Sequence, residues 1–158
     1  MIELTRFCEA GPEIRRLVID AHVVEPFPMA RAALPHMLAA GWGRIGNITI
    51  SAETMRRRGF SPYSPSKAAL GSETIIGALS LPGTGVSVDT LLPRGTVRAG
   101  MISAGYPDDL RCRLLDAEIV VPPILWLESA RSNGVTGRGV AATRWRVEAP
   151  ESAEEAGW

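Results

Sequence analysis

Cysteine, excess charge of either sign, lysine and long apolar runs are all scarce in this 158-residue chain. Its two cysteines, Cys8 and Cys112, lie far apart and form no C-x-x-C pair, which excludes a zinc or dithiol motif of that spacing and predicts reduced thiols. Seventeen basic residues balance seventeen acidic ones, so no net field favours nucleic acid or an anionic membrane as a partner. No stretch approaches the ~20 apolar residues of a membrane span. Met1 is followed by acidic and polar residues, unlike a secretion signal, so a cytoplasmic location is expected. All basic residues but one are arginine, and the single lysine is Lys67. No glycine-rich phosphate loop is present either. Gly83-Thr84-Gly85 follows a helical pattern and precedes a strand pattern, the reverse of a dinucleotide fingerprint, and reads as a connecting turn.

What remains is ordinary globular composition, with 46% apolar and 22% charged residues. A chain of this size can bury roughly 70% of the surface its unfolded form exposes. From Pro12 to Ala40 the apolar residues recur at helical spacing, and Pro26, Pro28 and Pro35 predict a kink or break near Glu25 to Pro28. Arg44 to Ser51 reads as a mostly buried strand, with Ile48 and Ile50 on one face and Asn47, Thr49 and Ser51 on the other. Ser64-Pro65 opens a helix that Leu81-Pro82-Gly83 stops, with Ser64 as its cap. Val86 to Pro93 is a second strand, Pro122 to Leu127 opens another helix, and Val140 to Val147 is a third strand. Alternating helices and strands predict an α/β domain over residues 1–147 with a parallel sheet, followed by an acidic, frayed tail over 148–158.

Tyr63 and Lys67 lie four residues apart at the start of a helix, where both can face one way. A nearby ammonium lowers a phenol's pKa by stabilising phenolate, so Tyr63 is a candidate general acid–base and Lys67 its activator. The Y-x-x-x-K spacing alone is a weak signal. It gains weight because the pair follows a strand, and open parallel sheets bind ligands at the carboxyl ends of strands. Ser51, at such an end, is placed to donate a hydrogen bond to a substrate carbonyl. Ser64-Pro65-Ser66-Lys67 also fits S-x-x-K, but the K-T-G element of that enzyme class cannot occur in a chain with one lysine. Arg56-Arg57-Arg58 reads as a solvated charge run, with a substrate-side role as its alternative.

The segments Ala30 to Met37, Gly43 to Thr49, Tyr63 to Leu70, Gly85 to Asp89 and Pro93 together resemble the short-chain dehydrogenase/reductase family in order and spacing, from about Pro12 to Trp145. The resemblance implies NAD(P)-linked alcohol oxidation or carbonyl reduction of a small molecule. Tyr63 would exchange the proton, Lys67 would tune it and bind the nicotinamide ribose, Ser51 would orient the substrate and Pro93 would border the cofactor. It also implies a homo-oligomer paired through the long helix and the Tyr63 helix.

The fold expected from it is a partial Rossmann-type, doubly wound parallel sheet lacking the N-terminal dinucleotide-binding half. No T-G-x-x-x-G-x-G loop or N-N-A-G segment occurs, and little turnover by this chain alone is expected. The commonest family spacing places the serine at Ile50 and leaves Ser51 one position late. His22 stands where an asparagine of the proton relay aligns, Arg94 where a glycine follows the proline, and Asp89 where asparagine is usual. These departures support an alternative reading as a non-catalytic remnant or oligomerisation module.

Overall fold

The computed structural model describes residues 5–100, 102 and 108–155. Three parallel strands form one sheet in the order β1 (Gly43–Ile48), β2 (Val86–Leu92), β3 (Gly139–Ala141). Gly43 pairs with Val86 and Ile48 with Leu91, while Thr90 pairs with Gly139 and Leu92 with Ala141. The expected α/β architecture with a parallel sheet is therefore present. The third strand is shorter than its sequence pattern suggests, because the chain turns into a short 3-10 segment at Ala142–Arg144.

The long amino-terminal helix breaks where its prolines require. Helix α1 (Pro12–Ile19) widens into a π turn over Asp20–Val24, and α2 (Pro26–Ala40) restarts after Glu25. The Glu25 amide reaches back five residues to the Asp20 carbonyl at 2.9 Å, the wider spacing of a π turn. Gly41 ends α2 in a left-handed conformation at φ 63°, a backbone state that glycine enters without a Cβ clash.

A four-residue helix, α3 (Ala52–Met55), follows β1, and α4 (Tyr63–Ser80) then crosses one face of the sheet. Gly77 lets α4 approach closely, since a Cβ there would lie 3.4 Å from Val88. Beyond the short α5 (Asp108–Arg111), α6 (Val121–Leu127) covers the opposite face. There Leu91, Leu127, Val140, Ala142 and Ala153 form a buried cluster. The central strand β2 is buried at all seven positions.

Two details differ from the sequence reading. At the end of β1 and just beyond it the polar residues are the hidden ones: Ile48 is 47% exposed, whereas Thr49 is 1% and Ser51 3% exposed. Buried hydroxyls are tolerable here because each finds a partner. The Thr90 hydroxyl donates to the Asn47 carbonyl at 2.9 Å and so accepts from Thr49 at 2.7 Å, while Asn47 Nδ2 donates to Thr74 Oγ1 at 2.9 Å. The tail expected to fray is docked as far as it is described. Ala153 is fully buried, Glu154 bridges Val140 in antiparallel fashion, and the Glu155 amide donates to the Gly139 carbonyl at 2.9 Å. Residues 156–158 lie outside the described residues.

Candidate active site at the start of α4

Tyr63 is the first residue of α4 and Lys67 lies one turn later, so the helix brings both to the carboxyl end of β1. Lys67 Nζ donates to the carbonyl of Ile48, the last residue of β1, at 2.8 Å. It lies 5.8 Å from the centroid of the Tyr63 ring. Among the described residues the Tyr63 hydroxyl has no hydrogen-bond partner, which leaves it open to a ligand or water.

The electrostatics differ from the sequence expectation. Burial pushes the Tyr63 phenol up from its ordinary value, and burial pulls the Lys67 ammonium down. Lys67 was expected to lower the phenol's pKa. Instead its ammonium is turned to a backbone carbonyl, and the loss of water around the ring dominates.

A histidine completes the cluster. His22, in the π turn, meets the Tyr63 ring edge to face with centroids 5.4 Å apart. Its Nδ1 lies 2.8 Å from Ser66 Oγ, and Ser66 Oγ donates to the Tyr63 carbonyl at 2.7 Å. A hydroxyl has one hydrogen to give. Because the carbonyl can only accept, the imidazole must donate from Nδ1, and in the neutral ring Nε2 is then a lone-pair acceptor. Burial first, and then the charge on Lys67, pull the His22 pKa down, so the neutral ring is favoured. Ser66 was absent from the sequence reading of the site. The only available signal was its place on the same helical turn as Tyr63 and Lys67.

Ser51 lies near the same end of β1 but is engaged elsewhere. It caps α3, its Oγ accepting from the Thr54 amide at 3.3 Å and meeting Thr54 Oγ1 at 3.1 Å. No hydrogen bond joins it to Tyr63 among the described residues. Pro93 follows β2 at the same end of the sheet, and Arg94 then takes a left-handed backbone at φ 57°. That state costs a non-glycine residue about 1–2 kcal/mol. The Arg94 guanidinium is held by Glu155 at 3.3 Å and Glu53 at 3.9 Å, which ties the α3 loop and the carboxyl-terminal segment to the end of β2.

The profile of the short chain dehydrogenases matches residues 5–107, about two thirds of the sequence. The chain belongs to the short-chain dehydrogenase family. It is 26% identical over 140 residues to a D-beta-hydroxybutyrate dehydrogenase of Rhizobium meliloti, covering 89% of this chain and 54% of that protein. An acetoacetyl-CoA reductase of Cupriavidus necator is 29% identical over 133 residues, covering 76% and 52%. Among solved structures, a short chain dehydrogenase of Shigella flexneri complexed with NADP superposes with a TM-score of 0.80 at 23% identity, covering 90% of this chain and 59% of that one. The chain thus spans about half the length of the curated relatives it matches. No helix among the described residues is long and apolar enough to cross a membrane.

Within the family frame, the nicotinamide end of NAD(P) fits the donor set here. Tyr63 offers a free hydroxyl, and Lys67 keeps two N–H groups beyond the one given to Ile48. The sequence holds no glycine-rich loop of the kind that cradles dinucleotide phosphates.

Proposed function

We propose that this chain carries the proton-handling side of an NAD(P)-linked alcohol dehydrogenase or carbonyl reductase. The observation that carries the reading is the unpartnered Tyr63 hydroxyl beside Lys67 at the carboxyl end of the sheet. Tyr63 gives its proton to a carbonyl oxygen in reduction and takes one from the hydroxyl in oxidation. Lys67 contacts the nicotinamide ribose and steadies the charge that develops on Tyr63. Ser51 turns its hydroxyl from Thr54 to the substrate oxygen, and Pro93 borders the nicotinamide. The cofactor, when bound, supplies or accepts the hydride.

Substrates are small alcohols or carbonyl compounds, with 3-hydroxy acids, the matching 3-oxo acids and 3-oxoacyl thioesters first to test because two relatives are named for a 3-hydroxy acid and a 3-oxoacyl thioester. The relatives' names do not favour the non-catalytic alternative. We place the protein in the cytoplasm, and we assign it a homo-oligomeric state because α2 and α4 leave Phe27, Met29, Ile76 and Leu79 more than half exposed. Light scattering after size exclusion should give a dimer or larger, and a monomer would remove that assignment.

We expect low turnover from this chain alone, whose sequence holds no glycine-rich loop for the cofactor's phosphates. With NADH or NADPH at millimolar concentration and acetoacetate as substrate, absorbance at 340 nm should fall slowly. Tyr63→Phe should slow that rate by roughly 100-fold or more, the usual weight of a general acid. A rate that survives the substitution discards the mechanism. Saturable quenching of NADH fluorescence at micromolar protein would instead show that the cofactor binds without a glycine-rich loop.

A further inference from the structure

We propose that the cleft between the amino-terminal segment, α1 and the loop before α4 is a binding site for a phosphate-bearing ligand, with four arginines at its walls and Ser64 at its floor. As the charged end of a substrate this ligand rests on the dehydrogenase reading, whereas the phosphate site itself does not.

The cleft has a volume of about 610 Å³ and is lined by Arg6, Arg15, Arg57 and Arg58. Their convergence in a chain of zero net charge is the first observation. Arg6 is paired with Glu9 at 3.6 Å and Arg57 with Glu53 at 3.7 Å, both exposed pairs within one helical turn that contribute little and release readily. Arg15 and Arg58 have no carboxylate partner among the described residues. Four guanidiniums less two glutamates leave an excess of two positive charges around one cavity, a match for a phosphate dianion.

Ser64 supplies the second, independent observation. The residue is 4% exposed, its Oγ has no hydrogen-bond partner, and it lines the cleft. A buried hydroxyl without a partner is unfavourable, and a turn of Oγ toward the cleft would let a ligand oxygen satisfy it. Ser64 was expected to cap α4, but it lies inside the helix, whose first residue is Tyr63, and makes no cap bond. Apolar walls accompany the arginines, Phe60 among them, which favours a phosphate attached to an organic body over a bare ion. The Phe60 ring lies 6.3 Å from that of Tyr63, so the cleft adjoins the candidate active site. The Arg57 and Arg58 pair, whose bland reading is a solvated charge run, thereby gains a ligand-facing role.

The test is a calorimetric titration of the full chain with inorganic pyrophosphate, without cofactor or substrate. Saturable binding is expected, weakening several-fold when salt is raised from about 50 to about 300 mM, because exposed charges are screened over a shorter length. Arg15→Ser with Arg58→Ser should weaken it roughly tenfold or more. Ser64→Ala should weaken it by a few-fold without lowering the thermal midpoint, since no hydrogen bond within the protein is lost. Arg31→Ser with Arg131→Ser, away from the cleft, should leave it unchanged. No saturable binding by the unmodified chain, or equal affinity in a folded Arg15/Arg58 variant, would overturn the proposal. Acetate binding as tightly as pyrophosphate would overturn the phosphate assignment. A silent dehydrogenase assay leaves this result standing, and loss of pyrophosphate binding leaves the Tyr63 chemistry standing.

Discussion

Helix α4 buries six residues, Ser64, Ser66, Leu70, Gly71, Thr74 and Ala78, whereas α2, only three residues shorter, buries none. Both are rich in small and apolar residues. In α4 the buried ones lie on the face toward β2, and two of its three buried hydroxyls are satisfied locally: Thr74 donates to the Leu70 carbonyl at 2.9 Å and Ser66 to the Tyr63 carbonyl at 2.7 Å, with Ser64 the exception. Helix α2 meets β1 through Met37 at Gly43, while Phe27 and Met29 stay 57% and 73% exposed. The candidate site is thus assembled from unequal parts. Tyr63 and Lys67 ride on the firmly packed helix, and His22 reaches them from a π turn with no buried residue.

The largest break in that comparison should come from Leu70→Ala on α4. Its loss of buried volume should cost about 2–5 kcal/mol in urea unfolding. Met29→Ser on α2 should stay within about 0.5 kcal/mol and reduce self-association. Equal costs at the two sites would show that α2 is buried in solution by something beyond the described residues.

Asp89 on β2 tests the opposite face of the sheet. It is 3% exposed, and burial pushes its carboxyl up, although the Arg138 amide donates to Oδ1 at 2.9 Å and Arg44 lies near. Because the folded state binds this proton more tightly than the unfolded chain does, its contribution is greatest at acid pH and is lost as pH rises through the raised carboxylate value. Asp89→Asn should therefore raise the thermal midpoint at neutral pH by about 2–4 °C, what 1 kcal/mol gives at this size. An unchanged or lower midpoint would mean that the surrounding donors fully offset burial of the charge.

The smallest effect is expected at His22. Its folded pKa lies below the unfolded one, so protonation opposes folding and stability is lost as pH falls through about 6.5. His22→Asn keeps a donor for Ser66 and removes the titration. The midpoint of this variant should change less between pH 7.5 and 5.5 than that of the parent. An identical pH profile would place the imidazole outside the coupled cluster.

Much of this was legible in the sequence. Proline positions announced the break at Glu25, periodicity separated helices from strands, and Tyr63 with Lys67 fell on one helical face as the spacing of four requires. Local chemistry fixes such features, because a missing amide or a helical repeat acts within a few residues. Partners distant in sequence were less legible. Ser66 went unread because its importance depends on His22, 44 residues away.

The chain's order of elements, its parallel sheet and its family follow from the sequence alone, since they rest on patterns repeated along the backbone. Which groups are desolvated follows only from packing. Burial, a property of the whole fold, raises Tyr63 where the nearby lysine was expected to lower it. It also hides Thr49 while exposing Ile48, and it gathers four arginines from three separate segments near an unsatisfied Ser64.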